Sequence, residues 1–299
     1  MKNDSVEDGA LDGTVTWGSL LAETEILLAR SPAVENPRQE AKWIIEEAAG
    51  VDGAELAEAL AGLATARGVS HLDSMVERRI AGEPVQYVLG HWPFRTLDLL
   101  IDQRVLIPRP ETEVVAGLVV DELNRLRPDG GGTVVDLGTG SGAIGLAIAA
   151  ECSAARVLLT DASVDALAVA RANLAGLGLA GRGVEISVGS WFDAVPERYL
   201  GECDVIASNP PYVRTTDALP SSVSEWEPSI ALLAGEDGLD DLRQIVDRAG
   251  PYLRDSGSLV LEMDALQTAV VAELCREAGF ATTVHRDLAG LDRAVVARR

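Results

Sequence analysis

The sequence contains few cysteines and few histidines, and this scarcity narrows the chemistry that the chain can perform. The three cysteines, Cys152, Cys203 and Cys275, lie far apart and form no CxxC pair, so neither a disulfide framework nor a cysteine zinc site is predicted. The three histidines are scattered without metal-ligand spacing. We therefore expect no metal ion and a reducing, cytoplasmic setting.

Long hydrophobic runs and basic residues are scarce as well. The longest apolar-rich stretch, residues 143–159, contains Glu151 and Arg156, and the N-terminal residues are acidic, so neither a membrane span nor a secretion signal is predicted. Lysine and arginine together number 25 against 47 aspartates and glutamates, which gives a net charge of -22. Sequence-independent binding of nucleic acid needs many Lys and Arg contacts to phosphate, so we expect no direct nucleic-acid binding. The charge is expected to serve solubility or to steer a basic protein partner.

The remaining composition is that of a globular protein, since 47% of the 299 residues are hydrophobic and 24% are charged. Residues 1–14 are polar and predict a frayed start. Residues 17–80 carry apolar side chains at helical spacing, punctuated by Gly50 and Gly68, and predict four or five short helices without a strand. Residues 84–107 contain helix-breaking prolines followed by loose alternation, which predicts a β-hairpin.

From about residue 110 onward the pattern alternates between helix and strand. This alternation predicts an α/β fold with a mostly parallel, doubly wound sheet. Ser163 is predicted to cap one of the helices. Strands are predicted over 133–137, 156–160, 184–188, 203–208, 258–263, 281–285 and 293–297, and helices over 111–127, 143–151, 163–177, 238–253 and 266–278.

The segment after the first of these strands has the composition of a cofactor loop. It runs from Asp136 through Gly138, Gly140 and Gly142 into the next helix, so the glycines allow a tight turn and the helix presents its N-terminus to a ligand. Asp161 ends the second strand, where an acidic side chain can accept hydrogen bonds from ribose hydroxyls. This spacing suits NAD or S-adenosylmethionine. The glycines depart from the G-x-G-x-x-G dinucleotide fingerprint, and this departure favours S-adenosylmethionine.

The most informative feature is the tetrapeptide Asn209-Pro210-Pro211-Tyr212, which directly follows the fourth strand. Two prolines cannot continue a sheet, so they hold the backbone extended at the carboxyl edge, where ligands of such folds bind. An amide or exocyclic amino nitrogen is planar and a poor nucleophile. Asn209 Oδ1 and the Pro210 carbonyl can each accept one of its N–H hydrogen bonds, orient it toward a methyl donor and stabilise the charge that develops. Tyr212 could pack against the substrate group.

Other candidate residues carry weaker signals. Trp191 follows the third strand and could flank the adenine of a cofactor or pack as a core tryptophan between two layers. The Asp240-Asp241 pair, together with Glu225 and Glu227, is expected to be solvated surface rather than acid–base machinery.

Several segments together resemble the HemK/PrmC family of release factor glutamine methyltransferases, over about residues 17–296. Residues 82–90 resemble the end of that family's helical domain, and residues 104–113, which include Pro-Glu-Thr-Glu, resemble its linker signature. The cofactor loop and the tetrapeptide match its cofactor and substrate positions, and residues 227–239 and 287–293 match later motifs. Three residues depart from those common in the family at their positions, namely Trp226, Asp264 and Leu291.

The resemblance implies a class I S-adenosylmethionine-dependent methyltransferase with a Rossmann-like, seven-stranded, mostly parallel sheet, a small N-terminal helical bundle and a β-hairpin linker. It implies a substrate-recognition domain over 1–90, the linker over 91–109 and the catalytic domain over 110–299. The implied substrate is the Gly-Gly-Gln glutamine of class I peptide chain release factors, methylated by a monomer, with S-adenosyl-L-homocysteine as second product. The expected catalytic residues are Asn209, Pro210, Pro211 and Tyr212, and the expected cofactor-binding residues are Asp136, Gly138, Thr139, Gly140, Ser141, Gly142, Asp161, Trp191 and Asn209.

Three alternatives stay open at this point. A sister family methylates a glutamine of a large-subunit ribosomal protein, although its linker usually departs from the Pro-Glu-Thr-Glu form. A nucleic acid amino-methyltransferase would share the tetrapeptide but would need a basic groove. A binding protein that has lost catalysis would keep the cofactor pocket. The sequence does not indicate which release factor is preferred.

Overall fold

The structure is a computed structural model that describes residues 12–128 and 130–299. The chain divides into two compact units, with the boundary between Gly90 and His91. Most of the predicted frayed start, residues 1–11, lies outside the described residues. Within the described ranges, no helix is long and apolar enough to cross a membrane.

The first unit is a small helical bundle that also contains a two-stranded sheet. Its core is formed by apolar side chains such as Ile44, Leu72 and Met75. Two of its helices begin at a threonine cap, and the hydroxyl of one of them, Thr65, accepts a hydrogen bond from Gly68 N at 3.0 Å. The elements are β1 Asp12–Thr16, α1 Trp17–Leu28, α2 Pro37–Ala49, α3 Leu56–Ala59, β2 Leu63–Thr65, α4 Ala66–Ile80 and α5 Val85–Leu89.

Two expectations for this unit are wrong. Four helices, α1 to α4, lie within the predicted range and agree with the predicted number, but β2 pairs with β1 in an antiparallel arrangement, so the unit is not free of strands. Of the three residues of β2 only Ala64 is buried, which is too short a run to show alternation. Gly68 lies inside α4 rather than between helices. An added Cβ there would lie 2.8 Å from the Trp17 ring, so this glycine allows two elements to approach closely.

The second unit contains a seven-stranded sheet covered by helices on both faces and a separate two-stranded hairpin. Its strands are β3 His91–Phe94, β4 Leu97–Leu100, β5 Gly131–Leu137, β6 Ala154–Asp161, β7 Val184–Val188, β8 Cys203–Ser208, β9 Leu253–Glu262, β10 Ala281–Arg286 and β11 Asp292–Arg298. Its helices are α6 Pro110–Leu126, α7 Ala143–Glu151, α8 Val164–Gly176, α9 Ser221–Ser224, α10 Asp240–Ala249 and α11 Thr268–Glu277.

The order of strands in the large sheet is β10-β11-β9-β8-β5-β6-β7. Strands β5 to β9 run parallel to their neighbours among themselves, and β11 is antiparallel to both β9 and β10. Helices α6, α7 and α8 pack on one face of the sheet, and α10 and α11 pack on the other. On this second face, Leu242, Ile245 and Val271 of the helices form a core with Val135 and Leu259 of the sheet. The predicted mostly parallel α/β fold is therefore confirmed.

Most predicted boundaries agree with the observed ones to within a few residues. The Ser163 hydroxyl accepts a hydrogen bond from Ala166 N at 3.1 Å, which confirms the predicted cap of α8. The largest deviation is the start of the strand predicted over 258–263, because β9 already begins at Leu253; the helix predicted over 238–253 accordingly ends earlier, at Ala249.

The β3–β4 hairpin is fastened to the rest of the second unit at both ends. At its turn, the Arg95 guanidinium forms two hydrogen bonds of 2.6 Å with the Glu151 carboxylate. At its other end, Asn173 Oδ1 accepts from Leu100 N at 2.7 Å and Nδ2 donates to Leu100 O at 3.0 Å. The same Nδ2 donates to Ser141 O at 2.8 Å, so one side chain links the hairpin to the loop after β5.

Candidate active site

The glycine-rich loop between β5 and α7 lies at the carboxyl edge of the sheet. Gly138, Gly140 and Gly142 have φ angles of +70°, +56° and +89°, a region that glycine adopts without steric cost. Thr139 N donates to Thr160 O at 2.8 Å, which holds the loop to the adjacent strand. Because α7 begins directly after Gly142, its first N–H groups lie at this edge.

Asp136 is buried beneath this loop with only part of its carboxyl group satisfied. Oδ2 accepts hydrogen bonds from Thr139 Oγ1 at 2.6 Å and from Gly145 N at 2.9 Å. Oδ1 has no hydrogen-bond partner within residues 12–128 and 130–299. Burial, with a smaller contribution from the charge of Asp161, raises the pKa of Asp136 to about 6. Since an unpartnered buried oxygen is costly, this carboxyl group fits a site where a cationic ligand supplies the missing partner.

Asp161 ends β6 and contacts the same loop. Oδ2 accepts from Gly140 N at 2.9 Å, and Oδ1 accepts from Ser163 N at 2.8 Å. Burial raises the pKa of Asp161, and these backbone hydrogen bonds oppose the rise. A carboxylate offers about four acceptor positions, so Asp161 can still accept hydrogen bonds from the hydroxyl groups of a ligand.

Trp191 packs across the loop and is held by an aspartate. A Cβ added at Gly138 would lie 3.1 Å from Trp191 Cζ3, so the ring lies directly against the glycine. Trp191 Nε1 donates to Asp241 Oδ1 at 3.1 Å, and the residue has a φ of +45°, which is a strained conformation for a side chain of this size. Burial raises the pKa of Asp241. The expectation that Asp241 belongs to solvated surface is therefore wrong, whereas its neighbour Asp240 is exposed.

Asn209 follows β8 directly, and a threonine orients its amide group. Nδ2 donates to Thr112 Oγ1 at 3.2 Å, which leaves Oδ1 available as an acceptor. Pro210 is buried, while Asn209 and Pro211 line a cavity at the edge of the sheet. The ring of Tyr212 packs against the buried core of the sheet instead of lining this cavity.

The cavity has a volume of about 310 Å³, within the range of small-molecule sites. Its wall contains three carboxylates, which suit the positive charge and the hydroxyl groups of S-adenosylmethionine. Gly142 lies behind the loop as the cap of α7. No cluster of His, Cys, Asp and Glu that could hold a metal occurs in the described part of the chain. The predicted residues that the structure brings together in the wall are Asp136, Gly138, Thr139, Gly140, Ser141, Asp161, Trp191, Asn209 and Pro211.

An ion pair with a buried glutamate holds the segment before α6 beside the cavity. Arg109 Nη2 pairs with Glu227 Oε1, and Ile107 N donates to Glu227 Oε2 at 3.2 Å. The Glu227 side chain is only 1% exposed, so the expectation of a solvated glutamate is wrong. The next residue, Pro228, lines the cavity together with Pro108, so the pair joins two parts of its wall.

The fold and the site together define a class I methyltransferase, a fold that uses S-adenosylmethionine. The family model of the methyltransferase small domain matches residues 116–225, and that of the PrmC N-terminal domain matches residues 19–90. A crystal structure of a methyltransferase from Pyrococcus furiosus is similar to 77% of this chain and 98% of that chain, with a TM-score of 0.50 and 16% sequence identity. At this identity the likeness concerns the fold alone.

Curated relatives define the family more narrowly. A release factor glutamine methyltransferase from Cereibacter sphaeroides is 38% identical over 89% of this chain and 92% of its own length. A release factor glutamine methyltransferase from Moorella thermoacetica is 41% identical over 89% of this chain and 93% of its own length. The chain belongs to the release factor glutamine methyltransferase family, as its motifs predict.

Proposed function

We propose that this protein methylates the side-chain amide nitrogen of the glutamine in the Gly-Gly-Gln motif of class I peptide chain release factors. The observation that carries the proposal is the position of Asn209. Its Nδ2 is anchored by Thr112, and its Oδ1 is available at the cavity that Asp136 and Asp161 also line. Family membership supports the substrate, since the relatives named above are release factor glutamine methyltransferases.

S-adenosyl-L-methionine, when bound, supplies an electrophilic methyl group on a sulfonium. In this proposal Asp136 Oδ1 would pair with the positive charge at the methionine end, and Asp161 would accept hydrogen bonds from the ribose hydroxyls. Trp191, which lines the same cavity, would flank the adenine. The residues that we propose to hold the cofactor are Asp136, Gly138, Thr139, Gly140, Ser141, Gly142, Asp161, Trp191 and Asn209.

The substrate nitrogen is planar, so the main task of the chain is to orient it. Asn209 Oδ1 and the Pro210 carbonyl each accept one N–H of the glutamine amide and stabilise the positive charge that develops on it. Pro211 and Tyr212 hold this backbone in place, and the Tyr212 carbonyl accepts a hydrogen bond from Gln267 Nε2 at 3.0 Å. After the transfer the nitrogen loses its proton to water, so no general base and no metal are required.

The unit up to Gly90 is proposed to recognise the release factor, together with the hairpin linker over 91–109. The net charge of -22 supports a basic protein partner over a nucleic acid. We propose that the enzyme acts as a monomer in the cytoplasm and releases S-adenosyl-L-homocysteine.

Mass spectrometry of a purified release factor incubated with the protein and S-adenosylmethionine tests the proposal. We expect one methyl group on the Gly-Gly-Gln glutamine. The Asn209→Ala variant should lose about 100- to 1,000-fold in kcat, because it removes an acceptor that acts on the developing charge. Asn124→Ala, which changes an exposed asparagine on α6, is the matched control and should keep the wild-type rate.

Other outcomes of this experiment are distinct. Methylation of a ribosomal protein or a nucleic acid, without methylation of the release factor, would overturn the substrate assignment and leave only the amide or amino methyltransferase class. Retained cofactor binding without turnover on any of these substrates would indicate a binding protein that has lost catalysis.

A further inference from the structure

Glu262 is a buried carboxyl group that has no part in the reaction as described so far. It ends β9 with an exposed fraction of 0%. Neither of its carboxyl oxygens has a hydrogen-bond partner in the described part of the chain. Burial raises the pKa of Glu262 to about 7, and the Thr112 hydroxyl is the strongest of the groups that oppose this rise. A carboxyl group in such surroundings lowers the stability of the fold, so its presence calls for a functional reason.

The sheet places Glu262 next to the proposed catalytic residue. Ser208 of β8 pairs with Leu261 of β9, so the residues that follow them, Asn209 and Glu262, lie side by side at the carboxyl edge. The Thr112 hydroxyl accepts from Asn209 Nδ2 at 3.2 Å and lies near enough to Glu262 to lower the pKa of that carboxyl group. A hydroxyl that accepts from an amide has its own proton left to donate, and Glu262 is the adjacent acceptor.

We propose that Glu262 is a positioning residue, which fixes the Thr112 hydroxyl and through it the Asn209 amide, so that Asn209 Oδ1 faces the substrate nitrogen. The proposal rests on the function proposed above. Without this acceptor, the Thr112 hydroxyl can turn and donate to Asn209 Oδ1. That arrangement stabilises the flipped amide, which presents N–H donors to the N–H groups of the substrate and cannot orient them.

Steady-state kinetics of Glu262→Leu, Glu262→Gln and Thr112→Val on the release factor test the consequence for catalysis. We expect Glu262→Leu and Thr112→Val to lower kcat by about 10- to 100-fold, with KM and cofactor affinity unchanged. The losses should not add in the double variant, because both changes break the same chain of contacts. Glu262→Gln keeps an acceptor oxygen and should retain most of the rate. The unfolding temperature of Glu262→Leu should not fall, since a buried unpartnered carboxyl group is removed. A merely structural role predicts the opposite pattern, a lower unfolding temperature and an unchanged kcat.

The orientation of the amide can be observed without turnover. The chain has five asparagines, so asparagine-selective ¹⁵N labelling gives few side-chain signals, and Asn209→Ala identifies those of Asn209. We expect the Asn209 side-chain signals to move in Glu262→Leu and Thr112→Val and to stay in place in Glu262→Gln. Thr24→Val, a buried threonine of α1, is the control and should leave them unchanged.

If the Asn209 side-chain signals of Glu262→Leu kept their wild-type positions, the positioning role would be overturned. A wild-type kcat in Glu262→Leu would overturn it as well. The spectra require no methyl transfer. A wild-type chain that does not methylate the release factor would therefore refute the proposed function alone, while the spectra still decide the role of Glu262.

Discussion

Replacement of Asp136 by asparagine should stabilise the cofactor-free protein and weaken cofactor binding. The side chain is 1% exposed, and burial raises its pKa from the ordinary 3.8 to about 6. When the pH is above both pKa values, a rise of this size means that the ionised Asp136 carboxylate lowers the unfolding free energy by about 3 kcal/mol. Asparagine keeps an oxygen for Thr139 and Gly145 and carries no charge, so we expect it to recover most of this free energy.

The pH dependence of this effect has a defined sign. The folded-state pKa is raised, so the favourable contribution of Asp136 is fully present below its unfolded value of 3.8 and is lost as pH rises through about 6. The unfolding free energies of wild type and Asp136→Asn should therefore converge at about pH 4 and differ most at about pH 8. The comparison of two proteins cancels the titration of all other groups.

Urea unfolding across this pH range, with calorimetry of S-adenosylmethionine binding, provides the assay. At about pH 8 the variant should lose about 10- to 100-fold in affinity, because a charge-assisted contact disappears. Asp193→Asn, which changes an exposed aspartate with a side chain 69% accessible, is the matched control. A variant that is less stable than wild type at about pH 8 and binds the cofactor equally well would refute the reasoning.

Two further substitutions test the packing around the site. Gly145→Ala should lower the unfolding free energy by about 1–3 kcal/mol and weaken cofactor binding, because the added Cβ would lie 2.1 Å from a leucine side chain of β6. In Gly176→Ala the added Cβ meets no atom within 4 Å, and this control should be neutral or more stable in the same urea titration; equal losses would contradict the argument. Arg109→Met should cost about 3 kcal/mol of unfolding free energy, because Glu227 loses its cation while 1% exposed. The control Arg243→Met breaks an exposed ion pair and should lower the unfolding free energy by less than about 1 kcal/mol. A similar loss in Arg109→Met and Arg243→Met would contradict the argument that burial of Glu227 makes its ion pair important.

The sequence predicts the large sheet well and the two-stranded β1–β2 sheet not at all. Buried parallel strands are continuous apolar runs of adequate length, and the strand predicted over 203–208 has the bounds of β8. The helix predicted over 143–151 likewise has the bounds of α7. In contrast, β2 is three residues long, and its pairing with β1 joins segments far apart in the chain. Neither periodicity nor turn composition signals such a pair.

Site residues that belong to a short sequence motif could be predicted from that motif. The residues that orient their side chains lie in distant segments of the chain, and the periodicity of the sequence does not indicate which residues these are. Thr112 lies 97 positions from the asparagine that it anchors, and Asp241 lies 50 positions from the tryptophan that it holds. A glutamate is exposed by default, so the burial of Glu227 and Glu262 follows only from the tertiary structure.

The hairpin and the side chains that attach it all belong to the second unit. Arg95 and Asn173 fasten the hairpin to the rest of the second unit, and Asn173 joins it to the cofactor loop. A chimaera joined after Gly90 would therefore receive a foreign helical unit while every one of these contacts stayed intact. Evolution, or an engineer, can thus exchange the first unit as a whole while the hairpin keeps its attachment to the cofactor loop.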